Sequence, residues 1–421
     1  MKIEQLYKLF TESYLVDTDT RKIRNGSLFF ALKGDNFNGN MFAKQAIDNG
    51  ANYAIIDESE YYINTNTIVV DNVLETLQKL ANFHRNKLNT PIISLTGSNG
   101  KTTTKELINA VISKKYKTTA TSGNLNNHIG VPLTLLSMTN ETEMGIVEMG
   151  ANHLNEIENL CKIAEPNFGY ITNFGKAHLE GFGSVEGVIK AKSELYDFLR
   201  NNNGTAFVNA DDILQIKQSI GIKTVEFNSH KIQFVEANPF VKVRFMNTEI
   251  NSQLIGKYNF NNIAAAIAIG NYFNISIDKI KEGIENYIPS NNRSQIIEKG
   301  TNKIILDAYN ANPSSMSAAL ENFHQLKAEN KAVLLGDMFE LGNDSKTEHQ
   351  KIADLVAAYN FNEVHLIGKA FSTTSVKNAF IYDSFETFKA STNKLNFSNT
   401  TILIKGSRGM ALERILDFFW F

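Results

Sequence analysis

A chain of 421 residues is too long for one ordinary hydrophobic core, so two or three domains are expected. With 43% hydrophobic and 20% charged residues it has the composition of a soluble globular protein, and a formal net charge of −2 offers no broad attraction to nucleic acid or anionic lipid. The single cysteine, Cys161, excludes an intrachain disulfide and a cysteine-based zinc cluster, which suits a reducing compartment.

Residues 1–10 carry Glu4 and Lys8 and lack a long apolar core, so they do not read as a secretory signal, and a cytoplasmic protein is expected. The run 28–32, bounded by Gly26 and Gly34, predicts a buried strand. Residues 52–57 and 67–70 predict two more strands, with helical spacing over 42–49. We take 1–88 as a small α/β domain.

A second domain, 89–290, starts near Thr90 and Pro91. It is expected to open with a strand over 92–95, a glycine-rich turn and a helix over 104–113. Strands over 145–148 and 168–172 and a helix over 185–199 continue the alternation of a parallel sheet. The most apolar stretch, 263–269, is too short to span a membrane, and its alanines suit a packed helix. Pro289, Ser290, Asn291 and Asn292 form a polar break before a third domain, 291–421. There, strands over 303–306, 332–335, 363–367 and 401–404 alternate with helical stretches, which predicts a doubly wound, Rossmann-like domain. The expected fold class is α/β in three domains.

Chemistry concentrates in a few places. Thr96-Gly97-Ser98-Asn99-Gly100-Lys101-Thr102-Thr103 lies between a predicted strand and a predicted helix. Glycines there let backbone N–H groups converge on phosphate oxygens, and the helix adds its positive end. Lys101 would reach the β- and γ-phosphates, and the Thr102 hydroxyl would ligate Mg²⁺, making the central domain an ATPase of the phosphate-loop kind. Leu95 stands where the longer form of this motif has a glycine. Glu148 ends an apolar strand beside that loop, where it could hold Mg²⁺. His178 follows the next strand and reads either as structural or as a neutral imidazole ligand. Spacing alone puts Lys190 and Lys192 on a solvated helix face.

Taken together, these motifs resemble the Mur ligase family over residues 20–410. The phosphate loop, Glu148, His178, the segment Gly256 to Asn262, Arg293 and Asp307 all carry the likeness. Gly123 to Pro132, Tyr309-Asn310-Ala311-Asn312-Pro313 and Leu335 to Gly342 resemble the branch that adds D-alanyl-D-alanine. The resemblance implies that Gly97, Asn99, Gly100, Lys101, Thr102 and Thr103 hold ATP phosphates. It implies that Asn259 and Asn262 lie near the adenine, with Arg293 on phosphate and Asp307 on ribose. Thr102, Glu148, His178 and Lys192 would hold two Mg²⁺ ions, with Lys192 carbamylated by CO₂; that reading overrides the solvated face. A carbamate is an anionic oxygen ligand, whereas an ammonium cannot ligate a cation. Lys101, His178 and Lys192 would be the catalytic set, His178 as ligand rather than base.

For the acceptor, the likeness implies Thr20, Arg21, Lys33 and Gly34 on a uridine sugar nucleotide bound by the first domain. Asn127, Asn310, Lys405, Ser407 and Arg408 would contact the substrate peptide or the incoming dipeptide. A monomer working on UDP-N-acetylmuramoyl-tripeptide in peptidoglycan precursor synthesis follows. Three departures stand out: Asn38-Gly39-Asn40 for Asp-Gly-His, the stretch Asn291-Asn292 before Arg293 without the glycine often found there, and Ala308 after Asp307. Two alternatives remain at this stage: another Mur or folylpolyglutamate-type amide ligase, and a nucleotide-binding switch that does not ligate.

Overall fold

The computed structural model describes residues 1–290, 292–391, 395 and 397–418; Asn291, part of the polar break named above, lies outside them. The architecture is α/β, with mainly parallel sheets in three successive units. No helix among the described residues is long and apolar enough to cross a membrane.

In the first unit four parallel strands run in the order Val16–Asp17, Leu28–Phe30, Tyr53–Ile56, Thr67–Val69. The strand expected over 28–32 stops at Phe30. There the Leu32 N–H turns back onto the Phe30 carbonyl (2.9 Å), and Lys33–Gly34 opens a small hairpin with Phe37–Asn38. The helix Val73–Leu88 closes the unit, capped by Asn72, whose side chain accepts from the Glu75 N–H at 2.9 Å. Its buried positions Val73, Leu77, Leu80 and Ala81 keep helical spacing and pack into one apolar cluster with Val131, Leu135, Leu160 and Ala164 of the second unit. Arg85 adds hydrogen bonds to the Ala164 and Glu165 carbonyls, both at 3.0 Å. The first two units therefore share a core.

The second unit holds six parallel strands in the order Lys223–Phe227, Thr205–Asn209, Phe168–Ile171, Ile92–Thr96, Met144–Glu148, Thr118–Ala120. The strand Ile92–Thr96 sits where strand order reverses, the usual ligand crevice of such sheets. Behind it pack the helices Lys101–Ile112 and Phe260–Tyr272. Every residue from Ile263 to Gly270 is buried, as the Ala-rich stretch foretold. An antiparallel sheet of Ile232–Ala237, Phe240–Phe245 and Thr248–Ile255 was not expected.

The third unit is a six-stranded sheet in the order Gln295–Lys299, Asn302–Asp307, Thr400–Lys405, Asn330–Gly336, Glu363–Ile367, Phe380–Tyr382. Only its first pair is antiparallel. Helices Pro313–Gln325 and Ser345–Tyr359 cover one face over a core containing Leu320, Phe323, Val333 and Leu335.

Candidate active site

The phosphate loop is tight enough to demand its glycines. Gly97 has φ +145°, and a Cβ there would lie 2.0 Å from Thr172 Oγ1. Gly100 has φ +80°, and a Cβ there would lie 2.6 Å from Asn262 Oδ1. The loop is fastened at its tip. Asn99 N–H donates to Asn173 Oδ1 (3.2 Å), while the Asn99 carbonyl accepts from Thr172 Oγ1 (2.6 Å) and Asn173 Nδ2 (2.9 Å). The helix Lys101–Ile112 then starts with no side chain capping its first N–H groups, which leaves them free for an anion. Lys101 Nζ donates to the Gly97 carbonyl (2.7 Å), so its ammonium lies across the loop. Burial pulls the Lys101 pKa down; Glu148 pulls it up and Arg293 down.

Glu148 ends its strand at 1% exposure. Its N–H donates to Thr121 Oγ1 (2.9 Å), and its Oε1 accepts from Asn126 Nδ2 (2.7 Å). Its Oε2 is buried with no hydrogen-bond partner. An ionised oxygen in that state is costly unless a cation or a donor meets it. Arg293 Nε is a second buried group without a partner, while its guanidinium lies 3.7 Å from the Tyr309 ring centroid. An unpartnered carboxylate oxygen and an unpartnered guanidinium nitrogen lining the same cavity fit a Mg²⁺–nucleotide pair.

His178, with φ +52°, precedes the short helix Leu179–Phe182, and its Nδ1 faces the Glu340 carboxylate of the third unit. Lys192 is completely buried, which corrects the solvated face that spacing suggested, whereas Lys190 is exposed. Lys192 Nζ donates to the Ala151 carbonyl (3.2 Å) and lies 5.0 Å from the Phe182 ring, which His178 also meets edge to face. Burial holds its pKa well below the usual ammonium range; the Lys101 cation adds to the depression, and Glu156 and Glu194 oppose it. Burial thus favours the neutral amine over the ammonium. Among the described residues no group of three or more His, Cys, Asp or Glu side chains is placed to hold a metal ion. Glu148 and His178 alone make no cage, so any cation there would need oxygens from other sources.

One cavity of about 1150 Å³ joins these parts. Asn99, Gly100, Lys101, Thr102 and Thr103 line it beside Glu148 and His178. Asn259 and Asn262 line it too, joined by a 2.8 Å hydrogen bond. From the third unit come Arg293, Asp307, Asn310 and Lys405. Asp307 is already engaged: Oδ1 accepts from the Ser294 N–H (3.1 Å) and Oδ2 from Lys405 Nζ (2.6 Å). Asn127 also lines the cavity, although its Oδ1 caps the helix Gly130–Leu136 through the Gly130 N–H (2.9 Å).

Other expected residues lie off the cavity wall. Gly97 and Lys192 sit behind it. Thr20, Arg21, Lys33 and Gly34 belong to the first unit, where Arg21 pairs with Asp19 and Lys33 with Asp57 (3.0 Å) and Glu58 (3.2 Å). The departure at 38–40 is built into that unit: Asn40 Nδ2 donates to Asp57 Oδ1 (2.9 Å) and Asn38 Nδ2 to Glu58 Oε2 (2.8 Å). Ser407 is buried, its Oγ accepting from the Phe339 N–H (2.9 Å), and Arg408 pairs with Glu413 (2.6 Å).

Several side chains that shape the site carried no assigned role in the sequence reading. Thr121, Thr172 and Asn173 follow the ends of parallel strands, a position that could have flagged them. Asn126 and Asn312 lie inside motifs already noted, and Asn312 Nδ2 crosses to Asn99 Oδ1 at 2.7 Å. Glu340 gave no signal beyond its motif.

Comparison with known proteins agrees with this layout. Residues 12–85 match the family model "Mur ligase family, catalytic domain", residues 95–270 match "Mur ligase middle domain", and residues 292–408 match "Mur ligase, glutamate ligase domain". The UDP-N-acetylmuramoyl-tripeptide--D-alanyl-D-alanine ligase of Bacillus subtilis is 35% identical over 95% of this chain and 92% of its own length. The crystal structure of MurF from Acinetobacter baumannii superposes with a TM-score of 0.83 at 29% identity, covering 96% of this chain and 92% of that one. MurF ligase from Thermotoga maritima in complex with ADP gives a TM-score of 0.84 at 25% identity, covering 96% of each chain.

Proposed function

On the premise that the chain belongs to the Mur ligase family, we propose how its cavity carries out the family's reaction. The protein is an ATP-dependent amide ligase that adds D-alanyl-D-alanine to UDP-N-acetylmuramoyl-tripeptide in peptidoglycan precursor synthesis. It acts as a monomer in the cytoplasm. The observation that carries the reading is that one cavity gathers Lys101, Thr102 and Glu148 from the second unit with Arg293, Asp307 and Lys405 from the third.

The tripeptide carboxylate attacks the γ-phosphorus of ATP, and ADP leaves. The dipeptide amine then attacks the acyl-phosphate carbon, loses a proton, and expels inorganic phosphate as the amide forms. The difficulty is to bring a carboxylate against a charged phosphate. Lys101 and the free N–H groups of its helix offset that repulsion from one side, and Arg293 from the other. Thr102 and Glu148 would hold one magnesium ion, and His178 and Lys192 a second. Bound there, the two ions would supply further charge neutralisation to the phosphoryl oxygens. Lys192 is suited to carbamylation because burial favours its unprotonated amine: nitrogen bonds to the carbon of CO₂, a proton is released, and an anionic oxygen ligand results. Asn259 and Asn262 would face the adenine and Asp307 the ribose. Thr20, Arg21, Lys33 and Gly34 would bind the uridine nucleotide, and Asn127, Asn310, Ser407 and Arg408 the peptide ends. We take 1–88, 89–290 and 291–421 as the working boundaries of the three domains.

The test is ATP-dependent phosphate release with UDP-N-acetylmuramoyl-tripeptide, with and without D-alanyl-D-alanine, the product being read by mass spectrometry. Pentapeptide product appearing only when all three substrates are present is the expected result. Equal phosphate release without acceptor or amine would leave a nucleotide-binding ATPase and overturn the reading. A product formed equally well with glutamate would move the chain to another branch of the amide ligases.

A further inference from the structure

The segment Gly336 to Gly342 follows the strand Asn330–Gly336 and has so far been given no task. It is held unusually firmly for a loop. The Asp337 carboxylate accepts from the Ala370 N–H (2.9 Å) and the Phe371 N–H (3.0 Å). Met338 N–H donates to His349 Nε2 (2.9 Å), and Phe339 N–H donates to Ser407 Oγ (2.9 Å). Each successive residue is tied to the body of the third unit until Glu340, which points out of it.

Glu340 crosses to the second unit. Its carbonyl accepts from the Glu180 N–H (3.3 Å), and its carboxylate faces His178 Nδ1. Both residues have left-handed backbones, with φ +63° at Glu340 and φ +52° at His178. Non-glycine residues rarely adopt that conformation, and it persists where the surroundings over-determine it. Two such residues meeting side chain to side chain across a boundary between units is a built contact. As a stabilising ion pair it would be weak, because the Glu340 side chain is 51% exposed. Fold stability therefore does not account for it.

Histidine chemistry does. An imidazole offers a lone pair to a cation only from the nitrogen that carries no hydrogen, and a carboxylate at the other nitrogen decides which one that is. No aligned hydrogen bond reaches Nδ1 among the described residues, and the carboxylate facing it is that of Glu340. Alignment needs only a small turn of a half-exposed side chain, as is common before ligands bind.

We propose that Glu340 is a positioning residue that keeps the proton of His178 on Nδ1 and so presents Nε2 to the cation. Because Glu340 belongs to the third unit and His178 to the second, the ligand is oriented only when the two units meet, which ties assembly of the cation site to seating of the third unit. This rests on the reading of His178 as a cation ligand.

The experiment is a titration of the full-length protein with Mn²⁺ in the presence of AMP-PNP and UDP-N-acetylmuramoyl-tripeptide, free Mn²⁺ being read by electron paramagnetic resonance. The variants are Glu340→Gly, which removes the carboxylate while suiting the left-handed backbone, Glu340→Gln, which keeps an acceptor oxygen, and His178→Ala. The Gly variant is expected to weaken one Mn²⁺ site by about 10- to 100-fold, and the Gln variant to recover most of that loss. Wild-type Mn²⁺ binding by Glu340→Gly, with weakened binding by His178→Ala, would overturn this proposal and leave the role of His178 standing. Wild-type binding by His178→Ala would overturn both. A Gln variant as weak as the Gly variant would overturn the proton-holding role.

Discussion

A lysine amine buried in an apolar setting destabilises a fold, so its presence there calls for a use. Lys192 is completely buried, and the one hydrogen bond that we assign it, to the Ala151 carbonyl at 3.2 Å, leaves most of its capacity unspent. Its burial was legible in retrospect. Val188, Lys192, Leu195 and Leu199 fall at helical spacing on the inner face of Val185–Asn201, so the lysine interrupts a core stripe. Reading Lys190 and Lys192 together as one charged face hid this, since the two side chains point about 200° apart on a helix. The use we assign to Lys192 makes a joint prediction for Lys192→Met, which keeps the volume and removes the amine. Activity should fall by more than about 100-fold, as expected when a ligand to a catalytic cation is lost. Stability near pH 7 should hold or rise. The sign follows from linkage: the folded pKa lies below the unfolded value of about 10.4, so the unfolded state binds the extra proton and stability climbs with pH across that window. The wild type should therefore gain more stability than Lys192→Met between pH 7 and pH 9, at a slope of no more than about 1.4 kcal/mol per pH unit. Urea melts at the two pH values check this, and a variant with the wild-type slope would show that the amine is charged in the folded state.

Secondary-structure elements reach the site by their ends, and Asn312 shows how closely. It begins the helix Pro313–Gln325: its Oδ1 accepts from the Ser315 N–H (2.9 Å), and its own N–H donates to Ser315 Oγ (3.0 Å). The remaining donor, Nδ2, reaches Asn99 on the phosphate loop. Capping and loop contact can be separated. Asn312→Ser keeps a capping oxygen and loses the donor, so stability should stay near wild type while the KM for ATP rises about 2- to 10-fold, the worth of one hydrogen bond. Asn312→Ala should show the same KM effect and also lose about 1 kcal/mol of stability. An unchanged KM in the Ser variant would mean that the Asn99 contact is incidental. At this scale the parallel strands Ile92–Thr96, Met144–Glu148 and Phe168–Ile171 were legible because each is an apolar run closed by turn residues, whereas Thr118–Ala120, Thr205–Asn209 and Lys223–Phe227 of the same sheet were not named. The sheet Ile232–Ala237, Phe240–Phe245, Thr248–Ile255 was not named either. Its first strand alternates poorly, with a register shift between Phe234 and Glu236, but Val241, Val243 and Phe245, and Ile250, Ser252 and Leu254, are buried at every second position, so a two-residue period was there to be read. The helix Val73–Leu88 has regular apolar spacing and was equally legible, although the expectations for the first unit named only three strands and the helical spacing over 42–49.

The three units are not joined alike. An unbroken apolar cluster runs from Phe10 and Leu80 in the first unit to Leu135 and Val188 in the second, so those two should move together. The third unit has its own cores, to which the second contributes Ile255 at the boundary. Across its face to the phosphate loop it meets the second through polar contacts: Asn312 with Asn99, Ser314 with the Lys176 N–H (3.1 Å), Glu348 with Lys176 (3.6 Å), and Glu340 with His178. Polar interfaces of this sort permit relative motion. The proposed reaction gives that motion a purpose, since water must be kept from an acyl phosphate while Arg293 and Asp307, on our reading, reach the nucleotide. Closure should therefore be carried by the third unit alone. Spin labels on exposed positions distinguish this from general tightening. With Lys190→Cys and Lys369→Cys, adding AMP-PNP and UDP-N-acetylmuramoyl-tripeptide should shorten and narrow the distance distribution. With Lys190→Cys and Lys44→Cys it should not change. Small-angle scattering of the unlabelled protein should show compaction under the same conditions. A first pair that stays put, with no compaction, would mean that the cavity is assembled before its substrates arrive, and water exclusion would then have to come from the substrates themselves.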